Sequence, residues 1–178
     1  MAAATLVLAA CATPPRADDR PLVVRHARPG STAPTSSAVE VRDGAATVYV
    51  SGHVPPMSAA TPEQPARPAA GTKAQAIGTL QAIERTLADL GLGLGDVVKV
   101  TAFLVADPAS GGRMDSAGFN DAFGQFFGTP SQPNRPARSV VQIVGLSNPA
   151  WLVAIEVVAV RSGHRQAGDD VAGPPVRP

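Results

Sequence analysis

The sequence predicts an α+β domain, a mixed β-sheet with two helices packed on one face. Two observations carry this. Strand-type and helix-type patterns follow one another in the order β, β-hairpin, α, β, α, β, β. Only two of the segments have the three-to-four-residue apolar period of a helix.

Taken in order, Leu22-Val23-Val24 is a short apolar run before the Pro29-Gly30 turn. Val39-Glu40-Val41-Arg42 alternates apolar and polar residues, Asp43-Gly44 is a strong turn signal, and Thr47-Val48-Tyr49-Val50-Ser51 is rich in strand formers. Together they predict a β-hairpin. Prolines at 55, 56, 62, 65 and 68 exclude regular structure from the loop that follows. Ile77, Leu80, Ile83, Leu87 and Leu90 then recur every three or four residues, with Thr72 as N-cap and Gly91 at the C-cap position, which predicts an amphipathic helix. Val97 to Val105 is too β-branched for a helix and well sized for a strand. A second helix fits Arg113 to Phe127, with Phe119, Phe123 and Phe126 on one side and an end near Gly128. A loop with prolines at 130, 133 and 136 leads into a strand over Ala137 to Val144, and Trp151 to Val160 is the last strand.

That last strand is apolar on both sides: Leu152, Ala154, Val158 and Val160 alternate with Trp151, Val153, Ile155, Val157 and Ala159. Two helices can cover one face of a sheet, so the other face calls for a second subunit. An oligomer is expected on this ground.

Composition bounds the function. A net charge of +1 and 4% aromatic residues argue against a nucleic-acid surface, which needs a basic stripe or a stacking platform. No apolar run reaches the roughly 18 residues of a membrane span. Residues 1–20 read as a leader and tether, 21–161 as the folded domain and 162–178 as a disordered tail. Leu8-Ala9-Ala10-Cys11 resembles the lipobox of bacterial lipoprotein signal peptides. This implies lipidation of Cys11 and a periplasmic or membrane-anchored location, the alternative being a cytoplasmic protein with a mis-assigned start. A single cysteine cannot close a disulfide in a monomer, so stability must come from packing. His26, His53 and His164 are too scattered to predict a metal site. Gly91-Leu92-Gly93-Leu94-Gly95 follows a helix and opens a strand, the reverse of a dinucleotide-binding loop, and reads as a turn.

Five pieces occur in order on matching secondary structure: Ser51-Gly52-His53-Val54-Pro55; Gly91-Leu92 with Gly95-Asp96-Val97-Val98-Lys99-Val100-Thr101; Phe119-Asn120 with Phe123 and Phe126-Phe127; Pro136-Ala137-Arg138-Ser139; and Ile155-Glu156-Val157-Val158-Ala159. Together they resemble the RidA/YjgF family of reactive-intermediate deaminases. The resemblance implies a chorismate-mutase-like fold and a homotrimer with clefts between subunits. It further implies hydrolysis of 2-aminoacrylate and related enamines or imines to 2-keto acids and ammonia, an activity of the 2-iminobutanoate/2-iminopropanoate deaminase type. Small imino or keto acids are the implied ligands, and neither a metal nor an organic cofactor is implied.

By position in the resemblance, Arg138 matches the arginine that binds the substrate carboxylate. Its planar guanidinium suits that task because it can pair with a carboxylate through two parallel hydrogen bonds. Ser51, Gly52 and the backbone of Val140 match the cleft wall, and Asn120 matches a polar site residue. Two departures bear on catalysis. Ala154 stands where active members carry the first glutamate of Ile-Glu-Ile-Glu, and Ala38 stands where an aromatic hydroxyl is usual, with Ser36 and Ser37 beside it. Glu156, two residues on along the strand, and His53, where glutamine is frequent, are the candidate catalytic groups. Two functions are therefore carried forward: imine hydrolysis, and a non-catalytic module of the same fold that captures small carboxylates or a protein partner.

Overall fold

The structure, a computed structural model, describes residues 21–62 and 64–161. The leader and tether, the lipidation expected at Cys11 and the tail lie outside the described residues. Six strands and two helices follow one another: β1 (Val23–His26), β2 (Ala38–Val41), β3 (Ala46–His53), α1 (Gly71–Asp89), β4 (Val97–Val105), α2 (Ser116–Phe123), β5 (Ala137–Ile143) and β6 (Val153–Arg161). β3, β6, β4 and β5 form one sheet in that order. β4 and β5 run parallel with α2 as their crossover, while β6 runs antiparallel to both β3 and β4.

The expected hairpin is corrected by the structure. Asp43 and Gly44 do make a turn, and Gly44 takes φ +92°, a conformation glycine adopts at no steric cost. Yet the strands on either side of it do not pair. β2 pairs with β1, Val23 against Val41, and β3 pairs with β6, Val50 against Val157. Burial decides between the partners. β6 is buried along most of its length and gives Val50 an apolar neighbour, whereas β2 is largely exposed and has no comparable face to offer.

One side of the four-stranded sheet is closed by the helices. Leu80, Ile83 and Leu87 of α1 and Phe119 and Phe123 of α2 are fully buried together with Leu104 and Ile155 of the sheet. Each such side chain contributes about 1.5–3 kcal/mol by leaving water. The N-terminus of α1 differs from expectation: Thr72 lies inside the helix, and Ala70 at the cap position makes no side-chain bond. The cap comes from far along the chain. Buried Asp107 accepts from the Thr72 backbone N–H at 3.2 Å and the Thr72 hydroxyl at 3.0 Å, and its other carboxylate oxygen accepts from the Ala109 N–H at 2.9 Å.

α2 is shorter than the period suggested. Asp115 caps its start by accepting from the Gly118 N–H at 2.8 Å, and the helix stops at Phe123. Phe127 rather than Phe126 then completes the aromatic row, stacking on Phe123 with centroids 4.6 Å apart. The row follows the four-residue spacing of 119, 123 and 127, and Phe126 is left half-buried.

Candidate functional site

Arg138 is placed by the pleat of β5. It lies opposite Val100, a fully buried residue on the helix side, so alternation sends its side chain to that side as well. There its guanidinium stands over two rings of α2, 4.4 Å from the Phe123 centroid and 5.4 Å from that of Phe119. Nη2 donates to Asn120 Oδ1 at 2.8 Å. Nη1 is buried with no partner among the described residues. The described residues hold two ion pairs, His26–Glu40 and Lys73–Asp121, so no carboxylate neutralises Arg138. Loss of hydration on burial lowers its pKa from the ordinary arginine value. The result is a half-buried cation with one unmet donor, met otherwise by a neutral amide and two π faces. Val140, two residues on, is half-buried on the same side opposite Ala102.

The remaining expected site residues lie elsewhere. Glu156 and Ser51 alternate onto the opposite, open face of the sheet, where they line a cleft of about 430 Å³ with Tyr49, Lys99, Thr101 and Val158. Lys99 does not pair with Glu156. It donates to Ser139 Oγ at 2.7 Å, and no hydrogen bond or ion pair reaches the Glu156 carboxylate among the described residues. Ala154, on the same face, is 8% exposed. Gly52 has open space where a side chain would start. His53 closes β3 and ties it to α1: Nδ1 meets the Ser51 carbonyl and Nε2 meets Thr86 Oγ1, both at 2.9 Å. Of the hydroxyls beside Ala38, that of Ser36 is already committed, donating to the Arg135 carbonyl at 2.6 Å. One chain therefore gathers Arg138, Asn120 and Val140 on one side of the sheet and Ser51 and Glu156 on the other.

Sequence reasoning missed the aromatic seat of Arg138. Phe119 and Phe123, spaced by four, read as core, and the signal that would have found their second role is the matching of their helix to the strand carrying the arginine. It also missed Arg25, whose guanidinium donates to the carbonyls of Gly95, Val97 and Arg135 at 2.9–3.0 Å and so fastens β1 to the start of β4 and the loop before β5.

Against known proteins, residues 25–161 match the family described as Endoribonuclease L-PSP. The chain belongs to the RidA/YjgF family. Within the family it is 34% identical over 133 residues to a RutC family protein of Haemophilus influenzae, an overlap of 75% of this chain and 91% of that one. It is 31% identical to Escherichia coli TdcF, named for reactive intermediate deamination, over 75% of this chain and 92% of TdcF. The crystal structure of E. coli TdcF with bound serine superposes with a TM-score of 0.52 at 29% identity, covering 74% of this chain and 94% of that one. The Rid family protein YyfB of Yersinia pestis shares the fold with a TM-score of 0.59 at 20% identity, covering 78% and 98% of the two chains. The RidA/YjgF α+β fold expected from the sequence is thus the fold of this chain, with the two helices on one face of the mixed sheet.

Proposed function

We propose that this protein binds small 2-imino and 2-oxo acids by their carboxylate through Arg138, and hydrolyses the imines. The observation that carries the proposal is the state of Arg138: among the described residues, a half-buried guanidinium with no anionic partner and a buried Nη1 without an acceptor. A buried donor left unmet costs about 1–3 kcal/mol, and more where it is charged, and a carboxylate bridging Nη1 and Nη2 after a small swing of the side chain removes that cost. Serine in the TdcF structure is a ligand of the matching chemistry, small and carboxylate-bearing.

The reaction balances with water alone. Water adds to the carbon of the protonated imine while giving one proton to a base, which leaves a carbinolamine. Nitrogen takes that proton up, and the C–N bond breaks as the hydroxyl loses its proton to the base and its oxygen forms the C=O bond, so that ammonia and the 2-oxo acid leave. The Glu156 carboxylate, free of internal partners, is better placed for the base than His53, whose two ring nitrogens are both engaged. Since Glu156 and Ser51 face away from Arg138, the complete site requires the open face of one copy to meet the Arg138 side of another. A homotrimer with clefts between subunits meets that requirement.

Ala154 supports a second reading. With no carboxylate at that place, the same cleft would capture a small acid without turning it over. The test is to generate 2-iminobutyrate in situ and follow its loss with the wild type and with Arg138→Ala. The hydrolase reading expects an acceleration that the substitution abolishes. No acceleration, together with Arg138-dependent binding of 2-oxobutyrate by calorimetry, would leave capture alone.

A further inference from the structure

Strand register divides the open face of the sheet into rows. Ser139, Thr101 and Glu156 lie side by side in one row, and Val141, Phe103 and Ala154 in the next. The first row is polar and carries the proposed base. The second holds no side chain that can make a hydrogen bond. Ala154 is its sheltered floor, 8% exposed, and Val141 is its rim, 42% exposed. The two rows are two residues apart along each strand, or about 6.5–7 Å. On the other side of Glu156 the row is Tyr49, Val158 and Lys99. A ligand whose reacting carbon is served by Glu156 can therefore send its side chain one of two ways, onto an apolar strip or toward a phenol and an amine. The amine has a partner already, since Lys99 Nζ donates to Ser139 Oγ at 2.7 Å, and Tyr49 is open to water. The apolar strip gains only from hydrocarbon laid over it.

We propose that Val141, Phe103 and Ala154 form the side-chain subsite of the ligand, and that the preferred acids carry a branched apolar side chain. This rests on the carboxylate-binding reading above and names its substrate class: 2-imino and 2-oxo acids of the 4-methyl-2-oxopentanoate type. Reach selects for length. The ethyl group of 2-oxobutyrate ends about 2.5 Å from the reacting carbon, whereas an isobutyl group ends about 4 Å from it and extends over the strip.

The test is a calorimetric series with 2-oxobutyrate, 2-oxopentanoate, 4-methyl-2-oxopentanoate and 2-oxoglutarate. It is run on the wild type, Arg138→Ala, Ala154→Glu and Val141→Thr, each checked by thermal melting. Affinity for the wild type is expected to rise up to about fourfold with each added apolar carbon. 4-Methyl-2-oxopentanoate should thus bind on the order of tenfold more tightly than 2-oxobutyrate. 2-Oxoglutarate, of similar length but charged at its far end, should bind no better than 2-oxobutyrate. Ala154→Glu, which sets a carboxylate on the floor of the strip, is expected to abolish the preference for the branched acid. Val141→Thr keeps the outline of the side chain but adds a hydroxyl, and should narrow that preference a few-fold. If Ala154→Glu does not fold, the wild-type series and Val141→Thr decide. Arg138-dependent binding that is equal within about twofold across the apolar acids, or tightest for 2-oxoglutarate, overturns the subsite and leaves the carboxylate reading standing. A preference that survives unchanged in the folded variants of the strip overturns it too. Binding of no acid, or binding that survives Arg138→Ala, defeats the carboxylate reading, and the subsite falls with it.

Discussion

On the helix side of the four-stranded sheet, Val100, Leu104, Ile155 and Val157 sit beneath α1 and α2. On the other side the same strands present Lys99, Thr101, Phe103, Glu156 and Val158, with Tyr49 81% exposed beside them. The first face is finished by the chain itself. The second mixes apolar side chains with a carboxylate, Glu156, that has no partner among the described residues, and an amine, Lys99, bonded to Ser139. Arg138 belongs to the finished face, whereas Ser51, Ala154 and Glu156 belong to the unfinished one. Under the function proposed above, the difference separates holding a carboxylate, which falls to the Arg138 side, from bringing a base to it, which would call for the open face of a second copy.

Substitutions can break or sharpen this contrast. The largest effect is expected from Phe123→Ala on the finished face: the ring is fully buried, stacks on Phe127 and seats Arg138, so denaturant unfolding should show a loss of about 3–5 kcal/mol. Asp107→Ala should cost about 1–3 kcal/mol, because it removes the cap of α1 and leaves the Thr72 hydroxyl and N–H buried without their acceptor. His53→Ala should cost about 1 kcal/mol by releasing β3 from Thr86, and thermal melting would register it. The smallest effect on chain stability, within about 0.5 kcal/mol, is expected from Tyr49→Glu on the unfinished face. With copies meeting at this face, as proposed above, that same substitution should lower the sedimentation coefficient. An unchanged coefficient would mean that the open face is not where copies meet.

How much of this was legible depends on the range of the interaction. α1, β4 and β6 could be read directly, because each has a period or a β-branched run that local burial then enforces. Arg138 could be found because it sits in a recognisable run, Pro136-Ala137-Arg138-Ser139. The choice of partner for β3 could not. The Asp43-Gly44 turn is a local signal, whereas β3 closes at His53 and its winning partner, β6, opens only at Val153, so nothing near the turn announces the pairing. Likewise Thr72 reads as its own cap, while the true acceptor, Asp107, is 35 residues away and becomes a neighbour only after the core has formed. The aromatic seat of Arg138 was hidden because rings that stack under a cation and rings that fill a core share one spacing.

Arg25 carries one more consequence, in the order of folding. Its three acceptors lie 70, 72 and 110 residues further along the chain, so its bonds can close only once the start of β4 and the approach to β5 already stand side by side. The ribbon itself is two four-residue strands, half-buried or exposed throughout and paired with each other outside the four-stranded sheet, the features of a segment that opens at low cost. Amide exchange by mass spectrometry should therefore find it opening before the sheet it is fastened to.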